Sequence, residues 1–195
     1  MANVRASATR MALAVLVLAS TSACDRLSGP DDTSPVLSVP MVDLSTFRYF
    51  RPFGATLPGS GEANPAYELV LLGTDLEIRA VAPGIVTRID RNDPSQGDYE
   101  LAIQPSRSSR YAVIYDHVKE LRVREGDRVE PGAVLGRIGN WSSTEGRVEL
   151  QINRGDLAVC PRDLGTPEFN AAHEAALAAS LEPAPSVCLV ATVRP

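Results

Sequence analysis

Two histidines, His117 and His173, are all that a chain of 195 residues offers for near-neutral proton transfer. An imidazole can also ligate a metal. His117 stands in I-Y-D-H-V (Ile114 to Val118), a run whose alternation puts Tyr111, Val113, Tyr115 and His117 on one strand face. A second run, R-V-E-L-Q-I-N, sets Arg147, Glu149 and Gln151 against Val148, Leu150 and Ile152. The apolar set belongs in a core, so the charged set faces an open surface. Asp75 ends the triplet Gly73-Thr74-Asp75. Arg147, Glu149, Tyr115 and Trp141, the last in the loop N-W-S-S-T, could bind a ligand by charge and stacking. Each group also has a plainer reading: a sheet-bonded histidine, a turn aspartate, a solvated ion pair, an indole filling a rim. His173 shares a helical apolar stripe with Phe169 and Leu177 and is read as structural. No G-x-S-x-G motif and no Cys–His pairing points to nucleophilic catalysis.

The elements needed to position these groups are short strands. Phe47 to Phe50, Glu68 to Leu72, Leu76 to Ala82 and, after the Pro83-Gly84 turn, Ile85 to Ile89 have strand character, as do Tyr111 to Val118 and Arg147 to Asn153. Asp90 to Asp98 reads as a polar loop. One helix is expected from Pro167, with Thr166 as its cap and Glu168 complementing its dipole. Its stripe is Phe169, Ala172, His173, Ala176, Leu177 and Leu181, with Pro183 and Pro185 as stops and Cys188 to Val193 as a closing strand. The expectation is a mainly β domain over 41–165 and a helix-and-strand extension over 166–195. Roughly 150 residues suffice for one real core.

The N-terminus reads as an export signal. Arg5 and Arg10 precede the apolar run Met11 to Ala19, which is far below the roughly 20 residues a bilayer span needs. Thr21, Ser22 and Ala23 before Cys24 resemble a bacterial lipobox, in which the cysteine is lipidated; ordinary cleavage near Ala23 is the alternative. On this reading 1–23 is a lipoprotein signal peptide and 24–40, rich in Ser, Pro, Gly and Asp, is a flexible tether. Lipidation at Cys24 leaves Cys160 and Cys188 to form a disulfide in an oxidising compartment, worth about 3 kcal/mol. Removing the signal takes the formal charge from −5 to −7, which gives no footprint for nucleic acid. Membrane attachment would come through the lipid.

Val123 to Gly139 spells V-x-E-G-D-x-V-x-P-G-x-x-L-G-x-I-G, with A-P-G-I-V at Ala82 to Val86. These turns and core positions resemble the biotinyl/lipoyl-like barrel-sandwich group and, more closely, the M23 (lysostaphin/LytM-like) peptidases. F-R-P-F-G from Phe50, Gly73-Thr74-Asp75, I-Y-D-H-V, residues 147–152 and C-P-R-D-L from Cys160 follow the M23 order over about Phe47 to Leu164. The resemblance implies a compact β-sandwich or barrel-sandwich-like domain. It also implies a zinc site, whose ligand positions here read Leu71, Asp75 and Glu149, with His117 retained and Arg147 substituted at the two histidines that act on water and oxyanion. Leucine cannot ligate a metal, so the implied protein is a non-catalytic, cofactor-free relative in the cell envelope. It would bind peptidoglycan stem peptides or a protein such as a cell-wall amidase, which dead relatives of the family activate. The alternatives the resemblance implies are a zinc endopeptidase with an altered metal site, in which Asp75 and Glu149 form a weak two-carboxylate site with His117 nearby, and a barrel-sandwich adaptor.

Overall fold

The computed structural model describes residues 31–195 apart from 94, 96, 182 and 183; the expected signal peptide and Cys24 lie outside them. Among the described residues eleven strands pair antiparallel in one sheet: β1 (Phe47–Arg51), β2 (Tyr67–Leu72), β3 (Glu77–Arg79), β4 (Gly84–Asp93), β5 (Asp98–Gln104), β6 (Tyr111–Lys119), β7 (Arg128–Val129), β8 (Val134–Asn140), β9 (Glu145–Arg154), β10 (Leu157–Val159) and β11 (Thr192–Val193). The fold is mainly β, as expected, with one α-helix among the described residues, α1 (Pro167–Ala178).

β9 is the spine. Its alternation holds over its length, with Val148, Leu150 and Ile152 wholly buried. One edge pairs with β2 and then β10, the other with β8 and then β6. The apolar face joins Tyr67, Leu69, Leu71, Leu101, Ile103, Tyr115, Leu135 and Ile138 in one core. At about 25 cal/mol per Å², each such side chain contributes roughly 1.5–3 kcal/mol on burial.

Several boundaries differ from the sequence reading. The expected loop from Asp90 is strand as far as Asp93, where β4 turns back into β5. Neither β5 nor β8 was expected: in β8, V-L-G-R-I-G-N, glycines and a charge interrupt the apolar alternation, whereas β5, D-Y-E-L-A-I-Q, does alternate at Tyr99, Leu101 and Ile103 and was overlooked. The strand expected over Leu76 to Ala82 is cut to Glu77–Arg79, and that over Cys188 to Val193 to Thr192–Val193. The helix is capped as expected, Phe169 N–H donating to Thr166 Oγ1 at 3.2 Å, but it ends at Ala178, and Leu181 is exposed.

Residues 31–40, expected as tether, lie against the domain. Leu37 is wholly buried; its N–H donates to the Leu164 carbonyl (3.0 Å) and its carbonyl accepts from Thr166 N–H (2.8 Å). The Asp31 carboxylate accepts from the Ser106 and Ser108 hydroxyls. Polar neighbours hid the buried side chain of Leu37, whose backbone bonds the segment leading into α1. At the other end, Cys160 and Cys188 form the expected disulfide, Cα–Cα 6.0 Å, tying the C-terminal segment to the sheet.

Candidate functional site

Strand register builds the site. Glu149 of β9 lies opposite Glu68 of β2 on one edge and Asp116 of β6 on the other. Three carboxylates therefore stand in one cross-strand row, on the sheet face away from the core. Like charges directly opposite on neighbouring strands destabilise a sheet, so this row requires cations. Arg51, Arg147 and His117 supply them.

Glu68 is wholly buried, and its carboxylate is gripped from both sides, by Arg51 Nη1 at 2.5 Å and Arg147 Nη1 at 3.4 Å. Burial and the neighbouring Glu149 raise its pKa, against the pull of the two guanidiniums. Arg147 is also held elsewhere: its guanidinium lies 5.1 Å over the Trp141 ring, and Trp141 meets Tyr49 edge-on at 6.5 Å. Trp141 keeps 43% of its surface exposed. An arginine over an indole contributes about 0.5–2 kcal/mol.

His117 reaches this face through a β-bulge. Strand alternation would leave it beside Tyr115, as the sequence reading has it. Instead Leu101 pairs with Tyr115 and Tyr99 with Val118, so Asp116 and His117 together oppose one residue of β5. His117 takes φ 62°, the left-handed conformation that lets a bulge re-aim a side chain. β6 leaves β9 for β8 at this point. β8 crosses so close that a Cβ on Gly139 would lie 2.8 Å from His117 Cβ and 2.9 Å from its carbonyl oxygen. Tyr115 stays in the core with its hydroxyl accepting from Val81 N–H at 2.7 Å, so the expected binding role for Tyr115 is not met.

Carboxylates surround the imidazole. Nδ1 lies 2.8 Å from Asp98 Oδ2; Nε2 lies 3.5 Å from Glu149 Oε1 and 3.8 Å from Asp116 Oδ2. Burial lowers its pKa, but hydrogen bonds to Asp98 and Glu149 and the charge of Asp116 outweigh burial and Arg147 together, raising it to about 9. Arg147 Nη2 also abuts both ring nitrogens. A neutral ring would accept from Arg147; a protonated ring donates to Asp98 and Glu149. Three carboxylates against one guanidinium favour the protonated form at neutral pH. Asp116 itself has a raised pKa, chiefly from burial. One acceptor is left over, Asp98 Oδ1, buried and without a hydrogen-bond partner among the described residues.

The residues do not fit the zinc that the M23 resemblance implies. Leu71 is packed in the core. Asp75 is turned outward, its side chain 81% exposed and paired with Arg137 at 3.1 Å, so it does not join Glu149. Ligand atoms of Asp98, Asp116 and His117 do lie within 4.8 Å of one another. Yet a guanidinium sits against that same imidazole, and a fixed cation there opposes a divalent one. Of the residues singled out from sequence, the structure unites His117, Arg147, Glu149 and Trp141; it leaves out Asp75 and Tyr115. Sequence reasoning missed Glu68, Arg51, Asp98 and Asp116. The isolated acid in the apolar run Y-E-L-V-L-L was the available signal for Glu68.

His173 is structural. It is buried, donates from Nδ1 to the Phe169 carbonyl (2.8 Å) and accepts at Nε2 from the Tyr67 hydroxyl (3.0 Å); burial lowers its pKa. A cavity of about 570 Å³ lined by Leu57, Glu62, Val190 and Arg194 contains none of the site residues.

The family model for peptidase family M23 matches residues 70–161. Among solved structures, the catalytic domain of the prophage-encoded M23 protein EnpA from Enterococcus faecalis is 23% identical, with 57% of this chain and 83% of that one covered and a TM-score of 0.43. A zinc-containing peptidase from Vibrio cholerae is 16% identical at TM-score 0.46 over 60% of this chain, which spans only 36% of that protein. A chain of the SpoIIQ–SpoIIIAH pore-forming complex is 20% identical at TM-score 0.52, covering 68% of this chain and 92% of its own. No curated protein matches the sequence. Residues 70–161 thus carry the sequence pattern of peptidase family M23, and the fold is M23-like.

Proposed function

We propose that this protein is a non-catalytic M23 domain of the cell envelope, exported, anchored through lipid at Cys24, and binding peptidoglycan stem peptides or a cell-wall enzyme such as an amidase. One observation carries the reading: Arg147 occupies the site with its guanidinium bonded to Glu68 and pressed on His117. A water-activating zinc needs three firm ligands and an open position. Here the side chains are committed to one another, and the aspartate and leucine at the ligand positions point elsewhere.

Binding suits what is left. Trp141 offers an exposed aromatic face, and Glu149 and Asp116 remain partly exposed beside it, at 22% and 26%. Stacking on a sugar or an apolar side chain, with hydrogen bonds to the carboxylates, is the chemistry this surface permits. The purified chain should be retained by isolated sacculi or by an immobilised amidase. Trp141→Ala and Glu149→Ala should each weaken retention, by roughly five- to thirtyfold for a contact of 1–2 kcal/mol. Undiminished retention of both variants would show that binding, if any, lies elsewhere.

A further inference from the structure

We infer that Arg147 is a built-in cation: its guanidinium supplies, from within the chain, the positive charge that a divalent ion would otherwise bring to the carboxylate row at Glu68, while His117 answers Glu149. Three features converge on this. The cross-strand row Glu68–Glu149–Asp116 gathers like charges that no sheet holds unneutralised, and Glu68 in it is wholly buried. Arg51 answers only one Glu68 oxygen, and Arg147 takes the other. The side chain is fixed on three sides, by Glu68, by the His117 ring and by the Trp141 face, so it does not vacate the position by swinging out.

A guanidinium keeps its proton at every pH a protein survives and is beyond the reach of chelators. The site therefore stays neutralised where a metal would be lost. The same fixed charge closes the row to divalent ions. The carboxylates and the imidazole that remain are a ligand set lacking only room and one donor, so a single substitution should open it. The inference concerns charge and stands whether or not the surface binds peptidoglycan.

The test is zinc titration of the purified chain, followed by calorimetry and by the NMR signals of His117. Arg147→His removes the guanidinium and adds a donor. This variant should bind one zinc per chain, at least roughly tenfold tighter than the wild type, and Glu149→Gln added to it should abolish the gain. An Arg147→His protein that folds and binds zinc no better than wild type would overturn the inference while leaving the non-catalytic reading intact. If Arg147→His does not fold, thermal melts of Arg147→Met with and without Glu68→Gln decide. A built-in cation predicts that Glu68→Gln recovers most of the melting temperature lost in Arg147→Met. Losses that simply add would mean that Arg147 serves only as packing on Trp141, and the inference fails.

Discussion

His117 concentrates the physics of the site in one titratable ring. Its pKa of about 9, against 6.5 for the free side chain, means that folding binds a proton which the unfolded chain holds less tightly. The resulting stability is fully present below pH 6.5 and is lost as pH rises through about 9. The side chain is 15% exposed, so linkage of this size corresponds to roughly 2–3 kcal/mol. Denaturant midpoints should therefore fall between neutral pH and pH 9 in the wild type, and His117→Gln should flatten that slope; an NMR titration giving the ring an ordinary pKa would contradict the account. Part of this was legible in the sequence. The alternation of Arg147 to Asn153 showed which side chains leave the core, and His117 and Glu149 were identified by type. Glu68 and Asp98 were not, because they come from two other strands and only register brings them to the same face; Asp116 was not, because alternation sends it to the face opposite its neighbour His117. Asp75 misled for the opposite reason: it sits in a motif-like triplet, while its turn directs it to Arg137 on the surface.

At the scale of elements, the decisive device is the bulge where β6 changes partners. Period-two reasoning places Tyr115 and His117 together, and one extra residue separates them into core and site. Nothing local in Y-D-H-V-K marks that insertion, since the left-handed residue is histidine rather than glycine. The trace lies in β8, where Gly139 passes against the bulged backbone. Gly139→Ala should therefore destabilise the domain by about 1–3 kcal/mol, because the intruding methyl meets the backbone carbonyl of His117 rather than a side chain that could move. Chemical denaturation would measure the loss. A stable Gly139→Ala protein with unchanged His117 titration would mean that the close approach does not fix the ring. By contrast, β9 and the capped start of α1 could be read directly, since clean alternation and the Thr166-Pro167-Glu168 signature are local properties.

The whole molecule carries an M23-like β-domain whose spine strand serves two sides: an apolar face that builds the core, and a charged face neutralised within the chain. Charge balance was visible only in gross terms from composition; the pairing that fixes it is a property of the folded sheet. The segment 31–40 docks on the domain through Leu37, and the Cys160–Cys188 disulfide ties down the C-terminal segment. The pairing of those two cysteines was legible by counting thiols, whereas the docking of Leu37 was obscured by its polar neighbours. The most direct measurement is the metal content of the purified chain together with its turnover of cross-linked muropeptides in the presence of added zinc. The account predicts less than stoichiometric zinc and no cleavage at any zinc level the protein tolerates. One firmly bound zinc per chain, with cleavage that a chelator stops and fresh zinc restores, would contradict it.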